Sequence, residues 1–78
     1  MPHISVKLYP GRSEQQKINL TQRIVADVVS LMSCGEDAVS VAIEEVGPAD
    51  WTDKVYQPEI RDKWETLYKE PGYRPPAR

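Results

Sequence analysis

The stretch "PHISVKLYPGRSEQQK", residues 2–17, contains a strand pattern, a turn and a helix start in direct succession. Its first half alternates between apolar and polar side chains, with the apolar set at Ile4, Val6 and Leu8. This period of two predicts a strand that begins directly after Pro2. Proline has no N–H for a strand ladder, so the start of a strand is where it is tolerated.

The second half of the stretch predicts a turn and a helix. Pro10 presets one backbone dihedral and Gly11 tolerates a positive φ, as tight turns require. Ser13, followed three residues later by Gln16, has the pattern of a capping box. Apolar side chains then recur at helical spacing at Ile18, Leu20, Ile24, Val25, Val28, Leu31 and Met32. We therefore expect an amphipathic helix of about five turns, ended by Gly35 in a left-handed conformation.

A second strand is predicted over residues 38–46, where Val39, Val41 and Ile43 alternate with Ser40, Ala42 and Glu44. A strand–helix–strand order favours parallel pairing through a right-handed crossover. Two parallel strands leave one face and both edges of the sheet open. A chain of this length also buries only about 60% of its unfolded surface. We therefore expect a homo-oligomer in which a partner protomer extends the sheet.

The last third of the chain predicts a shorter helix and a tail. "GPADW", residues 47–51, interrupts the strand pattern. Ile60, Trp64 and Leu67 share a helical spacing, and Pro58 suits the first position of a helix. We expect an amphipathic helix over residues 58–69, followed by an extended tail, "EPGYRPPAR".

Composition limits the class of protein and its partners. The 78 residues suit a single domain, residues 1–78. A net charge of −2 argues against a nucleic-acid partner, and no apolar run approaches a membrane span or a secretion signal. The lone cysteine, Cys34, fits a reducing compartment. We therefore expect a soluble cytoplasmic protein with neither a nucleic-acid nor a membrane partner.

Several kinds of catalytic site are not predicted. The glycines are scattered, so there is no phosphate-binding loop, and no cysteine–histidine cluster has metal-ligand spacing. Cys34 lies at the C-terminal end of the predicted helix, where a thiolate is not stabilised. His3, the only histidine, is expected to be a half-exposed strand residue. No metal and no cofactor are expected.

The chain resembles the 4-oxalocrotonate tautomerase family. The resemblance rests on "MPHISVKLYPGRSEQQK", with proline directly after methionine and Arg12 just before "SEQQK". "GPADW", "EI" at residues 59–60 and "KEPGY" at residues 69–73 resemble the PptA-type branch, which has an added C-terminal helix. The resemblance implies an α+β fold: a β-α-β protomer with that helix, its parallel strands completed by a partner protomer. It also favours a homodimer over the founding members' hexamer.

The resemblance implies roles for four residues. Pro2 matches the catalytic general base, whereas Arg12 and Trp51 match the substrate-binding arginine and the aromatic residue of the active site. The family's second arginine falls at Ser40, which can form a hydrogen bond but cannot pair with a second carboxylate. The implied reaction is keto–enol tautomerisation of a small carboxylic acid, either a 2-hydroxy-dienoate or an arylpyruvate.

The basicity of Pro2 depends on Met1. Small penultimate residues permit removal of the initiator methionine, which would leave Pro2 with a free secondary amine. An α-amino group has a pKa near 8, and an apolar pocket disfavours its charged form, so it suits general base catalysis at neutral pH. Two alternatives stay open. One is a proline-based hydratase, dehalogenase or decarboxylase of small unsaturated acids, and the other is a non-enzymatic interaction subunit that retains Met1.

Overall fold

The computed structural model describes residues 1–74, which fall into two compact units. The first unit comprises Met1–Glu45, and the second unit begins at Val46. The last four residues of the predicted extended tail, 75–78, lie outside the described residues. Within residues 1–74, no helix combines the length and the apolar character needed to cross a membrane.

The first unit is the predicted β-α-β unit. Strand β1 (His3–Leu8) is followed by helix α1 (Glu14–Met32) and strand β2 (Ser40–Glu45). The strands pair in parallel, in a register that runs from His3 opposite Ser40 to Leu8 opposite Glu45. This arrangement confirms the predicted order of elements and the predicted parallel pairing.

Helix α1 begins as predicted and ends differently. Ser13 Oγ accepts a hydrogen bond from the N–H of Gln16 at 3.1 Å, and Gln16 Oε1 accepts one from the N–H of Ser13 at 2.9 Å. The preceding turn has Gly11 at a φ of 124°. The prediction that Gly35 would end the helix is wrong: Ser33 takes the left-handed conformation, with φ 55° and ψ 46°. Gly35 is instead extended, because it precedes a 3₁₀ turn, Glu36–Ala38, as its N-cap.

Side chains in the first unit are only partly covered. Ile4, Val6, Val41 and Ile43 are half-buried, whereas the residues that alternate with them in β2 are exposed. None of residues 1–45 is buried, and the end of α1 leaves Leu31 and Met32 76% and 66% exposed. Within one chain, the β-α-β unit therefore has regular backbone structure without a buried core.

The second unit corrects the predicted helix at residues 58–69. A helix begins at Pro48, with α2 spanning Pro48–Trp51, and it continues as a π-helix over Thr52–Arg61. Pro48 occupies the first turn, where its missing N–H costs nothing, so "GPADW" not only ends the strand pattern but also starts this helix. Pro58 lies inside the π-helix. Beyond it, the residues that the structure describes, up to 74, form one further helical element, a 3₁₀ turn at Trp64–Thr66.

The buried side chains of the described residues are Val46, Val55 and Tyr56, all in the second unit. The ring of Tyr56 packs against that of Tyr73, with 6.0 Å between the ring centres and a tilt of 48°. This ring pair connects the π-helix to the segment that follows Pro71 and Gly72, so aromatic packing links these two parts of the second unit.

Candidate active site

Pro2 lies directly before β1, and its carbonyl oxygen accepts a hydrogen bond from the N–H of Ser40 at 3.2 Å. The sheet therefore holds the backbone of Pro2 in place. Pro2 itself is half-buried, whereas Met1 is fully exposed. Removal of Met1 would thus remove a side chain that is open to solvent and would leave the ladder contact of Pro2 unchanged.

The side chain of Ser40 is paired with His3. These residues are opposite each other in the register, and His3 Nδ1 lies 2.6 Å from Ser40 Oγ. The serine hydroxyl donates to Nδ1 or accepts from it, depending on the tautomer of the imidazole. The sequence did not reveal this pair, because alternation assigns side chains to faces but does not give the offset between two strands.

Arg12 lies beyond the opposite end of β1. It lines a groove of about 230 Å³, which we call the Arg12 groove, together with Leu8, Gln16, Lys17 and Leu20. A strand rises about 3.3 Å per residue, so Leu8 lies about 20 Å along β1 from Pro2. One chain therefore places the candidate base and this arginine-lined groove at opposite ends of the same strand.

Two carboxylates offset the charge of Lys17 in this groove. Lys17 Nζ lies 3.1 Å from Glu45 Oε2 and 3.8 Å from Glu14 Oε1. The hydrogen bond to Glu45 is the main cause that raises the pKa of Lys17, and the charges of both carboxylates raise it further. Attraction of an anion to the Arg12 groove therefore depends chiefly on Arg12.

Trp51 belongs to the second unit and is the last residue of α2. It is half-buried, and its indole Nε1–H donates a hydrogen bond to the hydroxyl oxygen of Tyr73 at 3.0 Å. The sequence offered no basis for ranking Tyr73 above the other tyrosines. Its contact with Trp51 crosses 22 positions of the chain, a separation that local patterns do not report.

The first unit thus brings Pro2, His3 and Ser40 together at one end of the sheet and places Arg12 at the other end. No group of three or more histidine, cysteine, aspartate or glutamate side chains within residues 1–74 is arranged to hold a metal ion. The first unit offers a proline at the start of a strand and a guanidinium in a groove. The second unit, by itself, offers a tryptophan bonded to a tyrosine.

A family model described as "Tautomerase enzyme" matches residues 2–54, which include Pro2, both strands and all of α1. The chain belongs to the tautomerase family. The match begins at Pro2, the residue that corresponds to the general base in the family resemblance. Membership confirms the resemblance found in the sequence and supports a tautomerase-type, isomerase activity.

Named relatives of this tautomerase agree with the family match. A "Probable tautomerase" from Xylella fastidiosa is 44% identical over 73 residues, which cover 94% of this chain and 89% of the relative. A "Tautomerase PptA" from Pectobacterium carotovorum is 39% identical over 74 residues, covering 94% of this chain and 97% of that protein. These relatives confirm the resemblance to the PptA-type branch.

Solved structures confirm the fold. The crystal structure of TomN, described as a 4-oxalocrotonate tautomerase homologue in the tomaymycin biosynthetic pathway, has a TM-score of 0.62 and 34% identity. The comparison covers 64% of this chain and 77% of TomN. The β-α-β unit with a later helix is therefore a tautomerase fold, as the sequence predicted.

Proposed function

We propose that this tautomerase uses Pro2, freed from Met1, as the general base that interconverts the enol and keto forms of a small carboxylic acid. The observation that carries the proposal is the position of Pro2: the ladder bond from Ser40 fixes its backbone, while the preceding Met1 is open to solvent. The acid is a 2-hydroxy-dienoate or an arylpyruvate, as the sequence resemblance implies.

The reaction needs one base that both accepts and returns a proton. The Pro2 nitrogen removes the proton from the enol oxygen as the carbonyl forms, and the resulting ammonium then gives it to carbon. The proton that leaves the substrate oxygen returns to its carbon, with no net oxidation or reduction. The proposed steps therefore use only the proline and the substrate. An α-amino group has an ordinary pKa near 8, and an apolar surrounding lowers it toward the pH at which a base of this kind works best.

The substrate carboxylate is bound by Arg12, whose planar guanidinium can form two parallel hydrogen bonds with it. Because Pro2 and the Arg12 groove lie about 20 Å apart along β1, we propose that Arg12 of one protomer serves Pro2 of another. A homo-oligomer is then required for catalysis, and we favour a dimer over a hexamer. The uncovered apolar side chains Leu31 and Met32 of the first unit support association.

Trp51 and Ser40 complete the proposed site. Trp51 is an apolar wall that disfavours the charged form of the amine. Ser40 supplies a hydroxyl that His3 already holds at 2.6 Å, so it can contact a polar group of the substrate but cannot neutralise a second carboxylate. We therefore expect a preference for monoacids over diacids. We also assign the protein to the cytoplasm, where the free thiol of Cys34 would stay reduced.

The base is tested by measuring ketonisation of phenylenolpyruvate by the wild-type protein and by Pro2→Ala. We expect kcat/KM to fall by about 10²–10⁴ in the variant, the range for loss of a general base. Pro48→Ala, which removes a proline from the second unit, is the matched control and should keep wild-type turnover. Unchanged turnover in Pro2→Ala would contradict the role of the base. A wild-type rate no higher than that of buffer, together with turnover of a halogenated acrylate, would replace the tautomerase with a dehalogenase.

Sharing of the site between protomers is tested by mixing two inactive variants, Pro2→Ala and Arg12→Ala, after unfolding and refolding them together. A mixed dimer has one site with both substitutions and one site with neither. Activity should therefore return to about a quarter of the wild-type value, because half of the random dimers are mixed and half of their sites are intact. A mixture as inactive as its components would show that Pro2 and Arg12 of the same chain act together.

A further inference from the structure

We propose that Tyr73 is a positioning residue that sets the orientation of the Trp51 indole and thereby tunes substrate binding. This inference rests on the proposed function, because it takes Trp51 to border the substrate. It assigns a role in that site to Tyr73, which the sequence analysis placed in the predicted tail and in the "KEPGY" motif but gave no role.

The contact is a directional one. Indole has a single hydrogen-bond donor, Nε1–H, and in Trp51 it points to the Tyr73 hydroxyl oxygen at 3.0 Å. This distance lies within the usual range for a hydrogen bond between nitrogen and oxygen. Since the donor is fixed in the plane of a rigid ring, the bond restricts rotation of the whole indole about its side-chain dihedrals.

Tyr73 is itself held by a buried neighbour. Its ring packs at 6.0 Å and a 48° tilt against Tyr56, and Tyr56 is only 7% exposed. A tilted pair at this distance has a favourable arrangement of the two aromatic quadrupoles. The π-helix that carries Tyr56 directly follows α2, which ends at Trp51. Tyr73 therefore connects Trp51 to the buried part of its own unit.

This geometry predicts a larger effect on substrate binding than on proton transfer, because the indole is kept and only its orientation changes. Removal of the Tyr73 hydroxyl leaves its ring on Tyr56 but removes the hydrogen bond that restricts the orientation of the indole. When the indole of Trp51 changes orientation, its contacts with the substrate weaken in both the ground state and the transition state. The result is a higher KM with little change in kcat.

The test follows Trp51 directly. Trp64→Phe makes Trp51 the only tryptophan, since the chain has two. In this background, Tyr73→Phe removes one hydroxyl oxygen, and Tyr68→Phe is the matched control because Tyr68 is fully exposed. We expect Tyr73→Phe to increase acrylamide quenching and lower the fluorescence anisotropy of Trp51. We also expect it to raise KM for phenylenolpyruvate about fivefold, the effect of losing one neutral hydrogen bond.

Repeating Tyr73→Phe in a Trp51→Phe chain tests whether the tyrosine acts through the indole. The proposal requires that the KM increase disappears there. A KM increase of the same size in both backgrounds would overturn it, as would quenching and KM equal to those of Tyr68→Phe. Unchanged turnover in Pro2→Ala would instead contradict the proposed function. The fluorescence of Trp51 does not depend on that result, so the two failures can be distinguished.

Discussion

The two units differ in how they are stabilised. The first unit has long regular elements, β1, α1 and β2, yet none of its side chains is buried. The second unit has a short α-helix, a π-helix and a 3₁₀ turn, yet it contains the buried residues Val46, Val55 and Tyr56. Regular backbone structure and side-chain burial are therefore separate sources of stability. We expect the first unit to depend on a partner and the second to depend on its own aromatic contacts.

The largest effect is expected from removal of the buried ring in the second unit. Tyr56→Ala should lower the free energy of unfolding by about 3–5 kcal/mol, the usual loss for truncating a large buried aromatic side chain. Urea denaturation measures this change. Tyr68→Ala removes the same atoms from a fully exposed position and should cost no more than about 0.5 kcal/mol. Equal losses in the two variants would contradict the assigned burial.

A second effect should appear on dilution. If association covers the first unit, stability depends on the concentration of protomers, and a hundredfold dilution above the dissociation constant should cost about 2.7 kcal/mol. Thermal unfolding followed over this range should show a falling Tm. Light scattering on the same samples reports the mass of the assembly. A Tm independent of concentration, with a monomeric mass, would show that the first unit is stable without a partner.

A smaller effect is expected at the start of α1. Ser13→Ala removes the hydroxyl that accepts the Gln16 N–H and should lower stability by about 1 kcal/mol. Ser30→Ala, at an exposed position within α1, is the matched control and should leave stability unchanged or slightly higher. Urea midpoints compare the two. The same midpoint for both variants would show that the capping box does not stabilise this unit.

The smallest effect is a dependence on high pH. The hydrogen bond to Glu45 raises the pKa of Lys17 above its ordinary value of 10.5 in the folded chain. The ion pair therefore stabilises the fold below pH 10.5, and this contribution is lost as the pH rises through the raised pKa. The difference in urea midpoint between the wild type and Glu45→Gln should shrink above pH 10.5. Asp50→Asn, which removes an exposed partner of Lys54, gives the reference. A difference that stays constant across this range would contradict the pairing.

The fold was predictable wherever local chemistry determined the backbone. Alternation predicted β1 and β2, and Ser13 with Gln16 predicted the start of α1. The second helix was misplaced because Pro48 and Pro58 both suit a first helical turn, and spacing of apolar residues cannot anticipate a π-helix around the later proline. Gly35 was misassigned because the following 3₁₀ turn uses it as an N-cap.

The family resemblance named candidate site residues but not the geometry between them. The family resemblance pointed to Pro2, Arg12, Ser40 and Trp51. It gave neither the contact of Ser40 with His3 nor the separation of Pro2 from the Arg12 groove, because strand register and strand length decide both. The bond of Trp51 to Tyr73 joins distant parts of the chain, so it emerges only from tertiary structure.

Catalysis by Pro2 requires that its nitrogen is a free amine, and the intact mass of the active protein reports whether Met1 has been removed. Protein purified from its native host and shown to ketonise phenylenolpyruvate should have the mass of the chain without Met1. An active preparation in which Met1 is still attached would contradict the role of Pro2 as the base, because its nitrogen is then an amide and cannot accept the proton.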